Sequence, residues 1–327
     1  MKAFAARRYG PPEVLELREV DTPAPRDNEV LIRIHATTVT SGDWRVRSLD
    51  VPTGFGIIVR LVFGFTRPRQ PILGTELAGV VEAVGKDVTR FKVGDAVFAF
   101  SDAKMGAHAE FITMPAEGVI APKPDGFGFD EAAALSFGGV TALQFFQRAK
   151  LKEGEKLLVN GASGAVGTAA IQIARHMGAE VTGVCSGGNV ELVRSLGAGH
   201  VIDYTQESVA DCGETFDVVM DTVGTLPFAK AKKLLPPGGR LLQIVGSLPQ
   251  ALQAPWLSLT SGRKVIGGAA MGRREDLEFL AKLAESGEYR PVIDRRFAFE
   301  EMIEAHRYVD EGHKKGNVVV MVEGETE

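Results

Sequence analysis

Residues 157–185 constrain the fold of this 327-residue chain more than any other stretch. The stretch opens with the apolar run LLV at 157–159, which is typical of a fully buried parallel strand. A turn of small residues follows, and apolar residues then recur at helical spacing as far as Met177. A second apolar run at 181–185 predicts the next strand. Strand, turn, helix and strand in this order predict a βαβ unit.

The turn inside this unit has the form of a dinucleotide-binding motif, with Ala162 in the place of its first glycine. Small residues let the backbone approach a pyrophosphate, whose charge is met by free amide groups and by the positive end of the following helix. Glycine-rich turns also punctuate α/β folds without binding a ligand, but here the flanking strands and helix are in register with the turn. The residues predicted to contact the cofactor at this turn are Gly161, Ala162, Ser163, Gly164, Ala165, Val166 and Gly167.

Cofactor choice is read at the end of the second strand, where an acidic residue would bind the ribose hydroxyls of NAD. The chain has CSGGN at 185–189 and therefore no acidic residue there. The Ser186 hydroxyl can donate a hydrogen bond to a 2′-phosphate, which favours NADPH over NADH. Gly187 and Gly188 bring no cationic side chain, so the 2′-phosphate has less charge compensation and we expect a moderate affinity for NADPH.

Strand-like and helix-like segments continue to alternate after this unit, which predicts a doubly wound parallel sheet. The predicted strands are 200–204, 217–221, 240–245 and 264–267. Ligands bind at the carboxyl ends of the strands in such sheets, which marks Val223, Ile244 and Gly246 as further cofactor contacts. Ordinary loops would explain these three residues nearly as well.

The sequence on either side of this region has a different pattern. Residues 1–122 consist of short strand-like runs separated by proline and glycine turns, which predicts a small, irregular β-barrel. A helix is predicted at 131–146. The predicted elements of the tail are a helix at 275–286, a strand from 292, a helix at 300–308 and a strand at 317–322.

Four short motifs carry a resemblance to a known family. They are IRIHA at 32–36, GTELAGVV at 74–81, FKVGDAV at 91–97 and GNVV at 316–319. Together with the nucleotide turn, they make nearly the whole chain similar to the medium-chain dehydrogenase/reductase superfamily. The resemblance implies an α/β fold with two domains: a GroES-like irregular β-barrel catalytic domain, and a Rossmann domain with a doubly wound parallel sheet. It divides the chain into a split catalytic domain, 1–122 and 269–327, and an NADP-binding domain, 123–268.

The resemblance also implies individual site residues. Thr141 is a candidate contact of the nicotinamide, although its hydroxyl could instead bond only to its own helix backbone. Tyr204 lies where NADPH-dependent relatives use a tyrosine. Asn317 follows a glycine and would reach the cofactor across the cleft between the domains.

Many members of this superfamily are zinc alcohol dehydrogenases, and this chain lacks their metal ligands. Thr40, Thr75 and, by approximate placement, Phe137 stand at the positions of the catalytic ligands. Threonine hydroxyls are poor zinc ligands beside thiolate or imidazole, and phenylalanine is none. The region 101–108, where relatives carry a structural zinc lobe with four cysteines, contains no cysteine. We therefore expect no bound metal.

Without zinc, reduction of a quinone or an α,β-unsaturated carbonyl compound is favoured over oxidation of a simple alcohol. An alkoxide needs the Lewis acid, whereas the phenolate or enolate formed by hydride addition has a delocalised charge that a few hydrogen-bond donors can stabilise. The resemblance points the same way, toward zinc-independent quinone oxidoreductases and alkenal/enone reductases. The candidate donors near the nicotinamide are Thr40, Thr75 and Thr141. The carboxylates Asp43 and Glu76 are interpreted as structural caps or hinges, with a proton relay as the alternative.

Two other functions stay open from the sequence: a non-catalytic, NADPH-binding redox sensor, and a metal-free alcohol dehydrogenase that uses a side-chain base. The net charge of −5 gives no global attraction to nucleic acid or to anionic membranes, so the expected partner is a small electrophilic substrate. Two cysteines and the lack of an apolar signal core predict a cytoplasmic protein. The resemblance implies a homodimer.

The stretch 50–69 is unusually apolar and less regular than its surroundings. We interpret it as a lobe that lines or covers the substrate cleft, or equally as a local core patch or a dimer contact.

Overall fold

The computed structural model describes residues 1–322, which belong to two compact units. The first unit contains Met1–Val51, Gly56–Phe137 and the chain from Met271 onward, and the second contains Pro52–Phe55 and Gly138–Ala270.

The strands are, in chain order, β1 (Lys2–Ala6), β2 (Leu15–Glu19), β3 (Glu29–Thr38), β4 (Glu76–Val84), β5 (Ala96–Phe100), β6 (Phe111–Pro115), β7 (Ile120–Pro122), β8 (Lys156–Asn160), β9 (Glu180–Cys185), β10 (His200–Asp203), β11 (Val218–Asp221), β12 (Arg240–Gln243), β13 (Lys264–Gly267), β14 (Ile293–Ala298) and β15 (Asn317–Met321). The α-helices are α1 (Ser41–Ser48), α2 (Gly56–Phe63), α3 (Phe129–Ala133), α4 (Ser136–Ala149), α5 (Ala165–His176), α6 (Val190–Ser195), α7 (Phe228–Leu234), α8 (Leu248–Thr260), α9 (Arg274–Glu285) and α10 (Met302–Asp310).

The second unit is built on a sheet of six parallel strands in the order β10-β9-β8-β11-β12-β13. Asn160, the last residue of β8, lies beside Val184 on one neighbouring strand and beside Asp221 on the other. The carboxyl ends of the central strands therefore meet at one edge of the sheet, where ligands bind in folds of this kind. The predicted doubly wound parallel sheet is confirmed.

Helix α5 connects β8 to β9 and packs through the predicted apolar face. Its buried residues include Ala169, Ala170 and Ile173, and the chain turns out of the helix at Gly178, whose φ is +78°. Glycine adopts this left-handed conformation without the clash that a Cβ would cause. The predicted βαβ unit is thus present from β8 to β9.

The first unit contains a sheet in the order β14-β15-β3-β4-β5-β7, with β6 also paired to β3. A second, two-stranded sheet pairs β1 with β2. The barrel core is formed by alternate residues that point inward from the long strands, such as Val30, Ile32 and Ile34 on β3. Strand β15 pairs with β3 in antiparallel register, Val319 beside Thr38, so the tail completes the sheet of the N-terminal strands.

The helix predicted at 131–146 is two helices, α3 and α4. The break has a tertiary cause: the buried Glu76 carboxylate accepts a hydrogen bond from the backbone N–H of Phe137, so α4 begins against that carboxylate. The stretch before the break belongs to the first unit, where the Phe129 ring stacks on His35 with 4.3 Å between ring centroids. The contacts therefore divide the chain at 137–138, whereas the predicted domain boundary lies at 122–123.

The apolar stretch at 50–69 contains helix α2. No residue of this helix is buried, although Phe63 at its end packs against the core of the first unit. The apolar residues of the helix therefore do not form a core patch of their own. None of the helices in residues 1–322 is long and apolar enough to cross a membrane.

Candidate functional site

The small-residue turn of the second unit is held in shape by contacts that only glycine permits. Gly161 has a φ of +82°, and a Cβ on it would lie 2.3 Å from a Val223 methyl group and 2.4 Å from the Thr222 hydroxyl. The Thr222 hydroxyl donates to the backbone oxygen of Asn160 at 2.8 Å. The loop after β11 therefore lies directly against the turn after β8.

Gly167 brings α5 equally close to the turn. A Cβ on Gly167 would lie 2.2 Å from the Gly161 carbonyl oxygen and 2.7 Å from the Ala162 Cα. Gly164 is the N-cap residue of α5, and no side chain in the described chain caps the helix there. The first turn of α5 can therefore direct its backbone N–H groups and the positive end of its dipole at an anion.

Two serines predicted to bind the cofactor are brought together by a residue that the sequence reasoning missed. Asn189 donates from Nδ2 to the Ser163 hydroxyl at 3.2 Å and to the Ser186 hydroxyl at 3.1 Å. It lies in a short 3-10 turn, Gly187–Asn189, directly after β9. In the sequence, only its position three residues after Ser186 indicates that Asn189 could contact that serine. Asn189 thus joins the small-residue turn to Ser186, the predicted 2′-phosphate contact.

Tyr204 follows β10 and donates its backbone N–H to the Cys185 carbonyl at 3.1 Å. Its backbone is therefore adjacent to the residue before Ser186, and its side chain is exposed.

The remaining predicted contacts of the second unit lie at the carboxyl ends of the strands. The buried Asp221 carboxylate organises the loop after β11, because it accepts bonds from Asn160 Nδ2 and from the backbone N–H groups of Val223, Gly224 and Leu226. Val223 is left half exposed at that edge.

Ile244 donates its backbone N–H to the Asp221 carbonyl at 3.0 Å, and Gly246 follows two residues later. The structure thus brings Gly161, Val223 and Ile244 to one edge of the sheet.

Thr141, the predicted nicotinamide contact, lies in α4 and is 8% exposed.

In the first unit, Thr40 and Asp43 form a capping box at the start of α1. The Thr40 hydroxyl accepts from the Asp43 backbone N–H, and the Asp43 carboxylate accepts from the Thr40 backbone N–H at 2.8 Å. This arrangement satisfies two donors at the helix terminus. The interpretation of Asp43 as a structural cap is confirmed, and the Thr40 hydroxyl is part of the same cap.

Glu76 has a structural role of the same kind. Its carboxylate accepts from the Thr38 hydroxyl at 2.5 Å and from the Phe137 backbone N–H at the start of α4. Burial disfavours the charged form and raises the pKa of Glu76 to about 7, although these two donors oppose the shift. Burial also lowers the pKa of Lys314 to about 8, and the charge of Glu76 works against that shift.

Thr75, next to Glu76, differs from Thr40 and Glu76, whose side chains bond to the first turns of α1 and α4. Its hydroxyl is buried and has no hydrogen-bond partner within residues 1–322. A buried hydroxyl without a partner carries a desolvation cost that a bound acceptor would remove. Of the two candidate donors in the first unit, the Thr40 hydroxyl donates to the Asp43 carboxylate, whereas the Thr75 hydroxyl has no partner among the described residues.

Asn317 is buried at the start of β15, and its Nδ2 donates to the Val292 carbonyl at 3.1 Å. Its side-chain amide thus already has a bond inside the first unit.

The positions that correspond to zinc ligands show no alternative metal site. A Cβ on Gly42 would lie 3.3 Å from the Thr40 hydroxyl and 3.5 Å from the Phe137 ring, which places these two side chains around one point. Across residues 1–322, no three histidine, cysteine, aspartate or glutamate side chains are grouped so that they could hold a metal ion. The donors present, a hydroxyl and an aromatic ring, do not suit zinc.

Sequence comparison assigns two parts of the chain to family models. Residues 26–125 match the alcohol dehydrogenase GroES-like domain, and residues 196–320 match the zinc-binding dehydrogenase domain.

Curated relatives match over nearly the full length. A quinone oxidoreductase from Mus musculus is 32% identical, with 98% of each chain covered. A 2-methylene-furan-3-one reductase from Solanum lycopersicum is also 32% identical, over 98% of this chain and 79% of the relative. Among solved structures, a quinone oxidoreductase from Coxiella burnetii superposes with a TM-score of 0.88 at 29% identity, covering 99% of both chains.

Proposed function

The chain belongs to the medium-chain dehydrogenase/reductase superfamily, and we propose that it is a zinc-independent, NADPH-dependent reductase of quinones or α,β-unsaturated carbonyl compounds. The observation that carries the proposal is the junction of the small-residue turn with α5. There Gly161 and Gly167 permit backbone contacts that a side chain would block, and the first turn of α5 lacks a side-chain cap. Relatives named for both substrate classes support the choice of reaction.

The residues of the second unit suit a dinucleotide phosphate. The α5 N-terminus would hold the pyrophosphate, with Gly164 leaving room for it. Ser186 would donate to the 2′-phosphate, and Asn189 would fix the orientation of the Ser186 hydroxyl. Tyr204 would complete this end of the site.

The nicotinamide end would be contacted by the loops after β11 and β12, which carry Val223, Ile244 and Gly246, and by Thr141. NADPH, when bound, supplies the hydride. Hydride addition to a quinone or an enone leaves a negative charge on the former carbonyl oxygen, and Thr75 would donate a hydrogen bond to that oxygen. The proton that completes the reduction would come from solvent.

We propose that the first unit is the catalytic domain and the second unit the cofactor domain, and that the protein is a homodimer. The free thiols of Cys185 and Cys212 favour a reducing compartment such as the cytoplasm.

The substitution Gly164→Asp tests the cofactor site. A Cβ at this position would meet its nearest atom, the Gly161 carbonyl oxygen, at 3.6 Å, and aspartate is a favourable N-cap residue. The variant should therefore fold, yet its carboxylate would repel the pyrophosphate and abolish NADPH binding in a calorimetric titration.

The control is Gly199→Asp, which adds the same charge on the exposed amino-terminal side of β10, where the nearest atom is 3.9 Å away. This variant should bind NADPH like the wild type. Unchanged affinity in a folded Gly164→Asp variant would remove the pyrophosphate assignment. Tight NADPH binding without turnover of any electrophile would favour a redox sensor instead.

A further inference from the structure

Helix α2 and the residue Phe65 after it form an exposed apolar surface, here called the α2 surface. Its members are Ile57, Ile58, Leu61, Val62 and Phe65, with exposed fractions of 70%, 42%, 59%, 52% and 63%. The first four share one side of a helix because they are spaced by one, three and four residues. Large apolar side chains grouped in this way mark an interaction site.

A cationic groove borders the α2 surface. It has a volume of about 680 Å³ and is lined by Arg7, Phe65, Arg67 and Arg69 together with Pro68 and Pro71. Within the described residues, no carboxylate pairs with any of the three guanidinium groups of the groove. Residues 56–71 contain three arginines and no acidic residue.

The groove and the α2 surface are held together by short-range contacts. Arg60, on α2, donates to the Phe65 carbonyl at 2.5 Å and lies over the Tyr9 ring. The Tyr9 hydroxyl donates to the Gly64 carbonyl at 2.7 Å. The apolar side chains and the unpaired arginines therefore belong to one continuous face of the first unit.

We propose that this face docks the protein on the surface of an anionic lipid bilayer. An eight-residue helix is about 12 Å long and cannot span a bilayer, but it can lie in the interface with its apolar side in the acyl boundary. The groove arginines would then meet anionic headgroups. A second copy of this chain is a poorer occupant, because the face supplies no carboxylate to pair with the arginines of its partner.

The net charge of −5 does not oppose this docking. Charges farther from the membrane than about 8 Å are largely screened at physiological salt, so the local arginines decide the attraction. The proposal does not depend on the proposed reductase function, and it is tested without measuring turnover.

The experiment is co-sedimentation of the full chain with vesicles made of equal parts of phosphatidylcholine and phosphatidylglycerol, compared with phosphatidylcholine alone. Binding should require the anionic lipid and should weaken as salt is added. The double substitution Arg67→Gln and Arg69→Gln should weaken binding roughly 25-fold, since each basic residue near such a surface contributes about a fivefold affinity. Leu61→Ser should weaken it roughly tenfold by removing apolar contact.

Two matched controls use exposed residues of the second unit. Leu259→Ser removes a leucine that is 86% exposed on α8, and Arg194→Gln removes an arginine that pairs with Glu191. Neither should change vesicle binding.

The proposal is overturned if anionic vesicles bind no more protein than neutral ones. It is also overturned if Leu61→Ser binds vesicles like the wild type, or if that substitution instead dissociates a dimer in sedimentation velocity while vesicle binding persists.

Discussion

Replacing Gly167 by alanine tests whether the turn after β8 depends on direct backbone contact with α5. The added Cβ would lie 2.2 Å from the Gly161 carbonyl oxygen and 2.7 Å from the Ala162 Cα. Both neighbours are backbone atoms, so no side chain can rotate away. The start of α5 and the turn would have to separate by roughly 1 Å to restore an ordinary contact.

The expected cost follows from two opposing effects. Overpacking of a tight contact costs about 1–3 kcal/mol, and replacing a helical glycine by alanine returns about 1 kcal/mol. Because the clash involves rigid backbone on the opposite side, we place the overpacking cost of Gly167→Ala near ~3 kcal/mol, the upper end of its range. After the gain of about 1 kcal/mol from helix propensity, the free energy of unfolding should fall by about 2 kcal/mol.

Urea denaturation of Gly167→Ala and Gly164→Ala measures this loss against a matched control. A Cβ on Gly164 meets its nearest atom at 3.6 Å, so this variant should lose no more than about 1 kcal/mol, the cost of a poorer N-cap. NADPH affinity should fall in both variants, but stability should fall clearly only in the first. A Gly167→Ala variant as stable as the wild type, or more stable as helix propensity alone predicts, would refute the close-packing interpretation.

Three further substitutions test other parts of the account. The folded-state pKa of Glu76, about 7, exceeds its ordinary 4.5, so the stability that this group contributes is fully present below pH 4.5 and is lost as the pH rises to 7. The stability of the wild type minus that of Glu76→Gln should therefore fall by about 3 kcal/mol over this interval in urea titrations, and parallel pH curves would contradict the prediction. Asp221→Asn should lower the free energy of unfolding by about 3 kcal/mol in the same assay and weaken NADPH binding, because one amide oxygen cannot accept from the four donors that the Asp221 carboxylate satisfies. An unchanged unfolding midpoint would count against the role of Asp221 in organising this loop. Ser186→Asp should raise the ratio of NADPH to NADH dissociation constants roughly tenfold by charge repulsion, and a constant ratio would show that the 2′-phosphate is misplaced.

The sequence predicts the second unit well because its structure follows from local patterns. The apolar runs at 157–159 and 181–185 fall within β8 and β9, and the spacing of Ala169, Ala170 and Ile173 defines the buried face of α5. These patterns report burial directly, and burial decides the strands and helices of a parallel sheet.

What the sequence could not predict depends on contacts between distant residues. The break between α3 and α4 is attributed to Glu76, whose carboxylate accepts a hydrogen bond from the backbone N–H of Phe137, 61 residues later in the chain. The link from Asn189 to Ser163 spans 26 residues, and it required the fold before it could be seen.

The histidines are scattered in the sequence, yet His108 and His306 lie with ring centroids 5.2 Å apart in the buried part of the first unit. His108 Nε2 lies 3.0 Å from the Thr38 carbonyl and must donate to it, whereas His306 Nδ1 accepts from Arg47. The His306 ring is thus neutral, because an accepting Nδ1 carries no proton, and burial lowers the pKa of both histidines. No local pattern in the sequence indicates that His108 and His306 lie side by side.

The most direct test of the reductase proposal is NADPH oxidation, followed at its near-ultraviolet absorption band, with and without a strong chelator. The acceptors are several quinones, several enones and one simple ketone. We predict turnover of quinones or enones at a rate that the chelator does not change, and little turnover of the ketone. Loss of activity with the chelator, or no turnover of any quinone or enone despite tight NADPH binding, would contradict it.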